Sequence, residues 1–318
     1  MKNLKQKLGL GGATFGNIFA EGLFGGVTEE KSFEIINHAY QSGIKIFDTA
    51  PYYGFAKSEL WYGRALNKFE RSEYNLTSKC GRLIVNQKSN NLRVTSEEIE
   101  SLELQAIYDY SPSGIRRSVE ESLERLQTNY LDTLLLHDPD QANKENESIK
   151  YAFPEMMKIK EEGLVRSIGC GMNQWEMPAR FMQEVDIDKV LLAGRYTLLE
   201  NKNSKIFMDI CKKYNVQVII GGPFNSGILA RDLNSKVLYN YELASDEVIK
   251  KVKKIENIVN KFGVSLKEAS LNFAAMNDQV YSVVPGMSSV SEVDDNISNL
   301  GKKIPPEMWE ELRKKEYI

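Results

Sequence analysis

The sequence predicts one (β/α)8 barrel over residues 1–318, and three observations predict it. Strand-like apolar runs alternate with helix-like segments from residue 7 onward, giving eight candidate strands, each followed by a helical pattern. The run at 131–136 is almost wholly apolar, as a parallel strand covered on both faces should be. Three successive strands run into ionisable groups at their C-terminal ends: Asp48, Lys79 and His137. Tyr53 stands in the loop that follows Asp48. If those strands are parallel, the four side chains converge on one rim, where a barrel carries its active site.

The elements follow in order. Residues 7–16 (KLGLGGATFG) read as a short strand breaking into a glycine-rich turn. A helix is expected over 28–42, with Thr28 as its cap, Glu29 and Glu30 favouring its N-terminus and Gly43 stopping it. The stretch 44–54 (IKIFDTAPYYG) gives a buried strand to Asp48, then a loop marked by Pro51 and Gly54. A helix near 57–68 and a strand over 73–79 come next. Residues 82–110 show little periodicity and are long enough for a functional barrel loop. The segment 113–127 is an amphipathic helix with Ile115, Val119, Leu123 and Leu126 on one face.

After the strand 131–136 the alternation continues. Helices are expected at 150–162, 176–184 and 202–214, and strands at 164–170, 189–193 and 216–221. A further loop leads to helices near 245–262 and 265–276 and a strand over 280–284. A crossover helix starts near Ser289, and 306–315 forms a C-terminal helix.

Bulk properties narrow the class of function. The formal net charge is −3, with acids and bases interspersed, so no basic patch argues for nucleic acid or an anionic membrane. The start MKNLKQKLGLGG has no apolar signal-peptide core, and no segment approaches a transmembrane run. Cys80, Cys170 and Cys211 are scattered and odd in number, which fits a reducing cytoplasm. The expected ligand is therefore a small molecule.

The strand-end residues permit proton transfer at a carbon-bound oxygen. A free phenol titrates near pH ~10, too high for a good base at neutral pH. An ammonium at Lys79 would lower the value for Tyr53, and Asp48 could hold that ammonium. His137 could donate a hydrogen bond to a substrate oxygen. With only His38 and His137 and scattered cysteines, no zinc site is expected. An organic hydride carrier is the simplest completion.

The segments FDTAPYYG, SKCG (78–81) and LLLHDPD (134–140) resemble the three catalytic segments of the aldo-keto reductase superfamily. That resemblance covers nearly the whole chain. It implies a catalytic tetrad of Asp48, Tyr53, Lys79 and His137, and a nicotinamide cofactor bound extended without a Rossmann domain. The GLGG turn at 9–12 is then no dinucleotide fingerprint. GGATFGNIF, CGRL, YDYSPSGIRRSVEESLERL, GCGMNQW, LLAGRYTLLE and GGPFNSGILA resemble the aldose 1-dehydrogenase branch, whose members act on L-fucose, D-threo-aldoses or L-galactose. Pyridoxal dehydrogenases are similar.

The resemblance also implies contacts. Cofactor contacts fall on Gly12, Asn173, Gly222, Phe224, Ser226, Gly286, Met287, Ser288, Ser289, Glu292, Asp295 and Asn296, with Asp295 and Asn296 at the adenine. Arg195, two residues beyond Ala193 and so on the same face, could meet phosphate or sugar. Substrate contacts fall on Phe19, Tyr52, His137 and Trp175. Departures from the family pattern are also legible. Gly171 and Met172 replace the usual Ser-Asn, leaving Asn173 to hold the carboxamide. Ala193 replaces a glutamine. Gly221 replaces the stacking aromatic, for which Phe224 or Tyr196 could substitute. Gly286 and Glu292 stand where NADP-dependent relatives often carry Lys and Arg, with no cation evident nearby, so NAD is expected over NADP.

Three functions compete. The leading one is oxidation of the anomeric carbon of an aldose to the lactone. A second is carbonyl, aldehyde or pyridoxal chemistry on the same barrel. The third is a cofactor-sensing regulatory subunit, for which the chain shows no long N-terminal extension and no strong partner-binding motif.

Overall fold

A computed structural model describes residues 4–16, 27–88, 94–95, 98–99 and 103–318. Eight parallel strands form the central sheet: β1 (Leu10–Gly11), β2 (Ile46–Asp48), β3 (Asn75–Cys80), β4 (Thr133–His137), β5 (Ile168–Met172), β6 (Lys189–Ala193), β7 (Gln217–Gly221) and β8 (Val280–Val284). Each pairs with its sequence neighbour. The first and last also meet. Leu8 and Gly11 form parallel bridges to Val283 and Gly286. Gly9 N–H donates to the Val283 carbonyl at 2.9 Å, and Gly11 N–H to the Pro285 carbonyl at 3.0 Å. The sheet thus closes, as the expected (β/α)8 barrel requires.

Strand alternation sorts the side chains into two layers. Ile46, Leu135, Leu191, Ile219 and Val284 fill the barrel interior, with Tyr281 and Ala193 packed against them. Residues such as Phe47, Leu134, Leu136, Val190 and Ile220 face the helices and join the larger outer core. A bulge between Val280 and Ser282 accompanies the placement of Tyr281 beneath the interior, under Lys189.

Five of the described helices begin where a serine or threonine satisfies an unpaired N–H. Thr28 caps α1 (Glu29–Gln41) and Ser111 caps α3 (Pro112–Arg125), which follows α2 (Lys57–Leu66). Ser245, Ser265 and Ser289 cap the helices Asp246–Lys261, Leu266–Ala275 and Val290–Asn299. Gly43 ends α1 at φ +93°, a conformation that needs no Cβ.

Two regions depart from expectation. The stretch after β3 contains an antiparallel hairpin, Arg82–Asn86 with Leu104–Tyr108. Its first arm carries an apolar run of only three residues, Leu83, Ile84 and Val85, too short to stand out within the weakly periodic stretch 82–110. Gly81, at φ +90°, breaks this arm from β3, and a Cβ there would lie 2.6 Å from the Tyr110 ring. The long connection after β7 holds a second, smaller hairpin, Leu238–Tyr239 with Glu242–Leu243. No described helix is long and apolar enough to cross a membrane.

Candidate active site

The barrel brings the strand-end residues together by register. Asp48 closes β2 and His137 closes β4, while Lys79 lies one residue from the end of β3 between them. Lys79 pairs with Leu135 across the ladder, and Leu135 points into the barrel, so the lysine does too. Tyr53 arrives from the loop after β2. That loop turns through Gly54, Phe55 and Ala56, all at positive φ (64°, 48° and 73°). Only glycine fits at 54, because a Cβ would sit 2.7 Å from Gly16 Cα.

The Lys79 ammonium has three acceptors: Asp48 Oδ1 at 3.1 Å, Asp48 Oδ2 at 2.9 Å and the Thr49 carbonyl at 2.8 Å. It lies 4.6 Å from the centroid of the Tyr53 ring. The rings of Tyr53 and His137 meet edge-on, with centroids 5.8 Å apart. Behind Lys79, the Thr49 and Ser58 hydroxyls are 2.8 Å apart, and Ser58 donates to the Gly12 carbonyl at 2.9 Å. This chain ties the loop under the ammonium to β1.

Electrostatics set the protonation states. Burial acts to discharge Lys79, but the Asp48 and Tyr53 charges outweigh it and hold the ammonium above its ordinary value. Burial lifts the Asp48 carboxyl, and Lys79 opposes that rise. Tyr53 is partly open to the cavity, yet desolvation pushes its phenol up to about 12 against the downward pull of Lys79. The ammonium therefore acts on Tyr53 in the expected direction without bringing it below a free phenol. Burial, Arg82 and Lys79 drive His137 well below the ordinary imidazole value, so the ring is neutral at pH 7. Its Nδ1 is buried without a hydrogen-bond partner.

A cavity of about 270 Å³ opens over these groups. Its wall holds all four strand-end and loop residues, together with Tyr52, Asn173, Gly222, Ser226 and Gly286. A second cavity of about 160 Å³ adjoins it and shares Thr14, Gly222, Ser226 and Gly286. Phe224, Ser288, Glu292 and Asn296 line this second space. These expected contacts therefore lie along one continuous groove.

Other expected contacts lie elsewhere. Gly12 is absent from both walls; a Cβ there would meet Ser58 Oγ and a Tyr62 ring carbon at 2.5 Å. Met287 is fully buried in the outer core. Ser289 is spent on the helix cap, accepting from Glu292 N–H at 3.2 Å. Asp295 turns outward to Lys267 at 2.8 Å. Arg195 and Trp175 line a separate cavity beside the site. There Arg195 holds the Gly194 carbonyl and Asn240, each at 3.0 Å, and Trp175 packs on Phe207. Tyr196 stacks on Phe273 in the core, which leaves Phe224 of the two proposed stacking residues in the groove. Phe19 lies outside the described residues. Nor is the second cavity without positive charge: Arg231 and Lys267 both line it.

Several wall residues carry no periodic signal. Arg82, Gln141, Asn225, Asn240 and Tyr241 reach the main cavity from hairpins and loops, where side-chain direction depends on the turn. Arg82 was visible only as a letter in CGRL.

Comparison with known proteins places this architecture. The chain belongs to the aldo/keto reductase family, whose description matches residues 7–316. It is accordingly an NAD(P)-dependent oxidoreductase. It is 31% identical to D-threo-aldose 1-dehydrogenase of a Pseudomonas species, over 96% of this chain and 92% of that protein. Pyridoxal 4-dehydrogenase of Microbacterium luteolum is 29% identical, over 96% and 92%. In fold, the chain is similar to an aldo-keto reductase from Bacillus halodurans in its holo form, with a TM-score of 0.74 and 23% identity over 97% of this chain and 91% of that one.

The groove fits a dinucleotide. Asn296 Oδ1 is buried on the wall of the second cavity without a hydrogen-bond partner. Gly221 and Gly171 leave the inner wall low, and a Cβ at Gly171 would meet nothing closer than 3.4 Å.

Proposed function

We propose that this protein oxidises the anomeric carbon of an aldopyranose, of L-fucose, D-threo-aldose or L-galactose type, to the lactone. The observation that carries the reading is the main cavity's wall. Arg82, Asp138, Gln141, Asn173 and Asn240 place polar groups beside Tyr52, Tyr53 and His137. Directional donors and acceptors suit the hydroxyl edge of a sugar, and aromatic faces suit its C–H side. The likeness to D-threo-aldose 1-dehydrogenase supports the same reading.

Asp48, Tyr53, Lys79 and His137 are the proposed catalytic residues. The nicotinamide supplies a hydride acceptor when bound. Tyr53 takes the proton of the anomeric hydroxyl as the C–H bond breaks and the C=O forms. Lys79 stabilises the phenolate this requires, and Asp48 fixes Lys79. Neutral His137 orients the reacting oxygen through an N–H. Asn173, Gly222, Phe224, Ser226, Gly286, Ser288, Glu292 and Asn296 hold the dinucleotide along the groove. Free cysteines at 80, 170 and 211, all buried, support a cytoplasmic setting.

NAD is the proposed preferred form. Glu292 carries its carboxylate on the second cavity's wall, held by Ser288 N–H at 2.7 Å and Ser288 Oγ at 3.1 Å. Lys267 is engaged by Asp295, while Arg231 is an exposed cation, so a 2′-phosphate is disfavoured rather than barred. Glu292→Arg should shift the kcat/KM ratio toward NADP by about tenfold or more. A wild-type enzyme that already prefers NADP tenfold would overturn the assignment.

Steady-state assays across aldoses, simple aldehydes and pyridoxal, with both cofactors, test the substrate. Tyr53→Phe should lower turnover by about 10²–10⁴-fold while the fold and cofactor binding persist. Pyridoxal oxidation is the second reading, favoured by the likeness to pyridoxal 4-dehydrogenase. Robust pyridoxal turnover with failure on every aldose would select it.

A further inference from the structure

Arg82 is placed with care. It opens the hairpin after β3 and stands directly opposite Tyr108 in the register. Its guanidinium lies 4.3 Å from the centroid of the Tyr52 ring and 4.8 Å from that of Tyr108. One nitrogen donates to Asp138 Oδ2 at 2.7 Å and to Gln141 Oε1 at 2.9 Å. The side chain is 5% exposed, and its Nε–H is buried with no partner. Asp138 follows β4 directly, at φ +45°, a conformation an aspartate adopts only at some cost. Its Oδ2 lies 3.6 Å from His137 Nε2. Tyr110, stacked on Tyr108, donates to the His137 carbonyl at 2.7 Å and so fixes the whole arrangement to the end of β4.

A purely structural ion pair has no need to face a cavity, to leave a donor unused or to require a left-handed backbone. This pair does all three at the wall that holds Tyr53 and His137. Resting on the sugar reading above, we propose that Arg82 and Asp138 form a paired donor and acceptor that reads a substrate hydroxyl close to the reacting carbon. The ligand class is then a polyhydroxylated ring bearing adjacent hydroxyls. The guanidinium donates to the oxygen of that hydroxyl, and the carboxylate accepts from its O–H. A simple aldehyde strips water from the pair and gives nothing back, so the same groups act against it. Desolvation raises Asp138 to about 6, against Arg82, so the carboxylate is mostly ionised and able to accept at pH 7.

The test compares the best aldopyranose of a panel including L-fucose and L-galactose with its 2-deoxy and 3-deoxy forms. Wild type should lose about 10²-fold or more in kcat/KM on one deoxy form, as sites built to bond a hydroxyl do. Arg82→Met and Asp138→Asn should each lower kcat/KM for the parent sugar by about 10- to 100-fold. On that deoxy form the change should stay below about threefold, because the interaction is already missing. Arg82→Lys should recover part of the loss. Each variant is assayed well below its own unfolding midpoint, and NAD titration by intrinsic fluorescence matching wild type would exclude a folding defect. If a variant unfolds, the wild-type ratio between parent and deoxy sugars still decides. Equal losses on parent and deoxy sugar, or a wild type indifferent to both deoxy forms, would overturn the inference while leaving the sugar reading intact. A wild type that oxidises no aldose of the panel would overturn that reading, and this inference with it.

Discussion

At Tyr53, two opposed influences decide the chemistry. Lys79 favours the phenolate and desolvation favours the phenol, and desolvation wins, with the group near 12. On the proposed mechanism, protonated Tyr53 is thus ready to donate in reduction, whereas oxidation draws on a small phenolate fraction. The sign is direct: phenolate rises with pH. Oxidation should climb roughly tenfold per pH unit between about pH 7 and 10, while reduction stays flat. His137, held neutral, should add no inflection near the ordinary imidazole value. Lys79→Met removes the downward pull and should displace the oxidative rise to higher pH. pH–rate profiles in both directions check this, and an oxidative plateau already reached by pH 8 would contradict it.

Between elements, a buried ion pair locks the helices behind β3. Glu59 on α2 is wholly buried and accepts from Arg125 Nε on α3 at 2.7 Å. Its other oxygen takes the hydroxyl of Ser78, the residue before Lys79. Removing one charge leaves the other buried without compensation, the costly case for ion pairs. Glu59→Gln should destabilise the protein by about 3 kcal/mol or more in urea unfolding. Replacing Glu59 and Arg125 together with methionine should cost much less than the sum of the single changes. Additive losses would show that the pair is not coupled. Neither partner was legible as a pair in the sequence: they are 66 positions apart, and each reads as an ordinary helical charge. The helices themselves were legible, because an apolar face is a local signal, joined in α3 by the cap at Ser111.

At the scale of the molecule, closure leaves the barrel little room to relax. A Cβ at Gly169 on β5 would lie 1.7 Å from the Lys189 carbonyl on β6. In an open sheet the edge strands could shift. Here every strand is held on both sides. Gly169→Ala should cost about 3 kcal/mol, the upper range for overpacking, or yield insoluble protein. An unfolding midpoint equal to wild type would refute the β5–β6 register. Activity lost in this variant should track folding, since Gly169 lies away from the groove.

The sequence by itself determined the alternation of strands and helices, the (β/α)8 class and the four residues at the strand exits. Those signals are local: period, caps, and an ionisable side chain after an apolar run. It also carried enough family pattern to place Gly222, Phe224, Ser226, Gly286, Ser288, Glu292 and Asn296 on the groove. Only the tertiary structure decided which way side chains turn once they leave a strand. Arg195 and Trp175 sit one cavity away from their expected places, and Met287 and Tyr196 are core residues. Arg82, hidden behind the break at Gly81, faces the site because the hairpin register sets it against Tyr108. The proton affinities of Tyr53 and His137 likewise arise from burial and neighbouring charge, which exist only after the chain has closed.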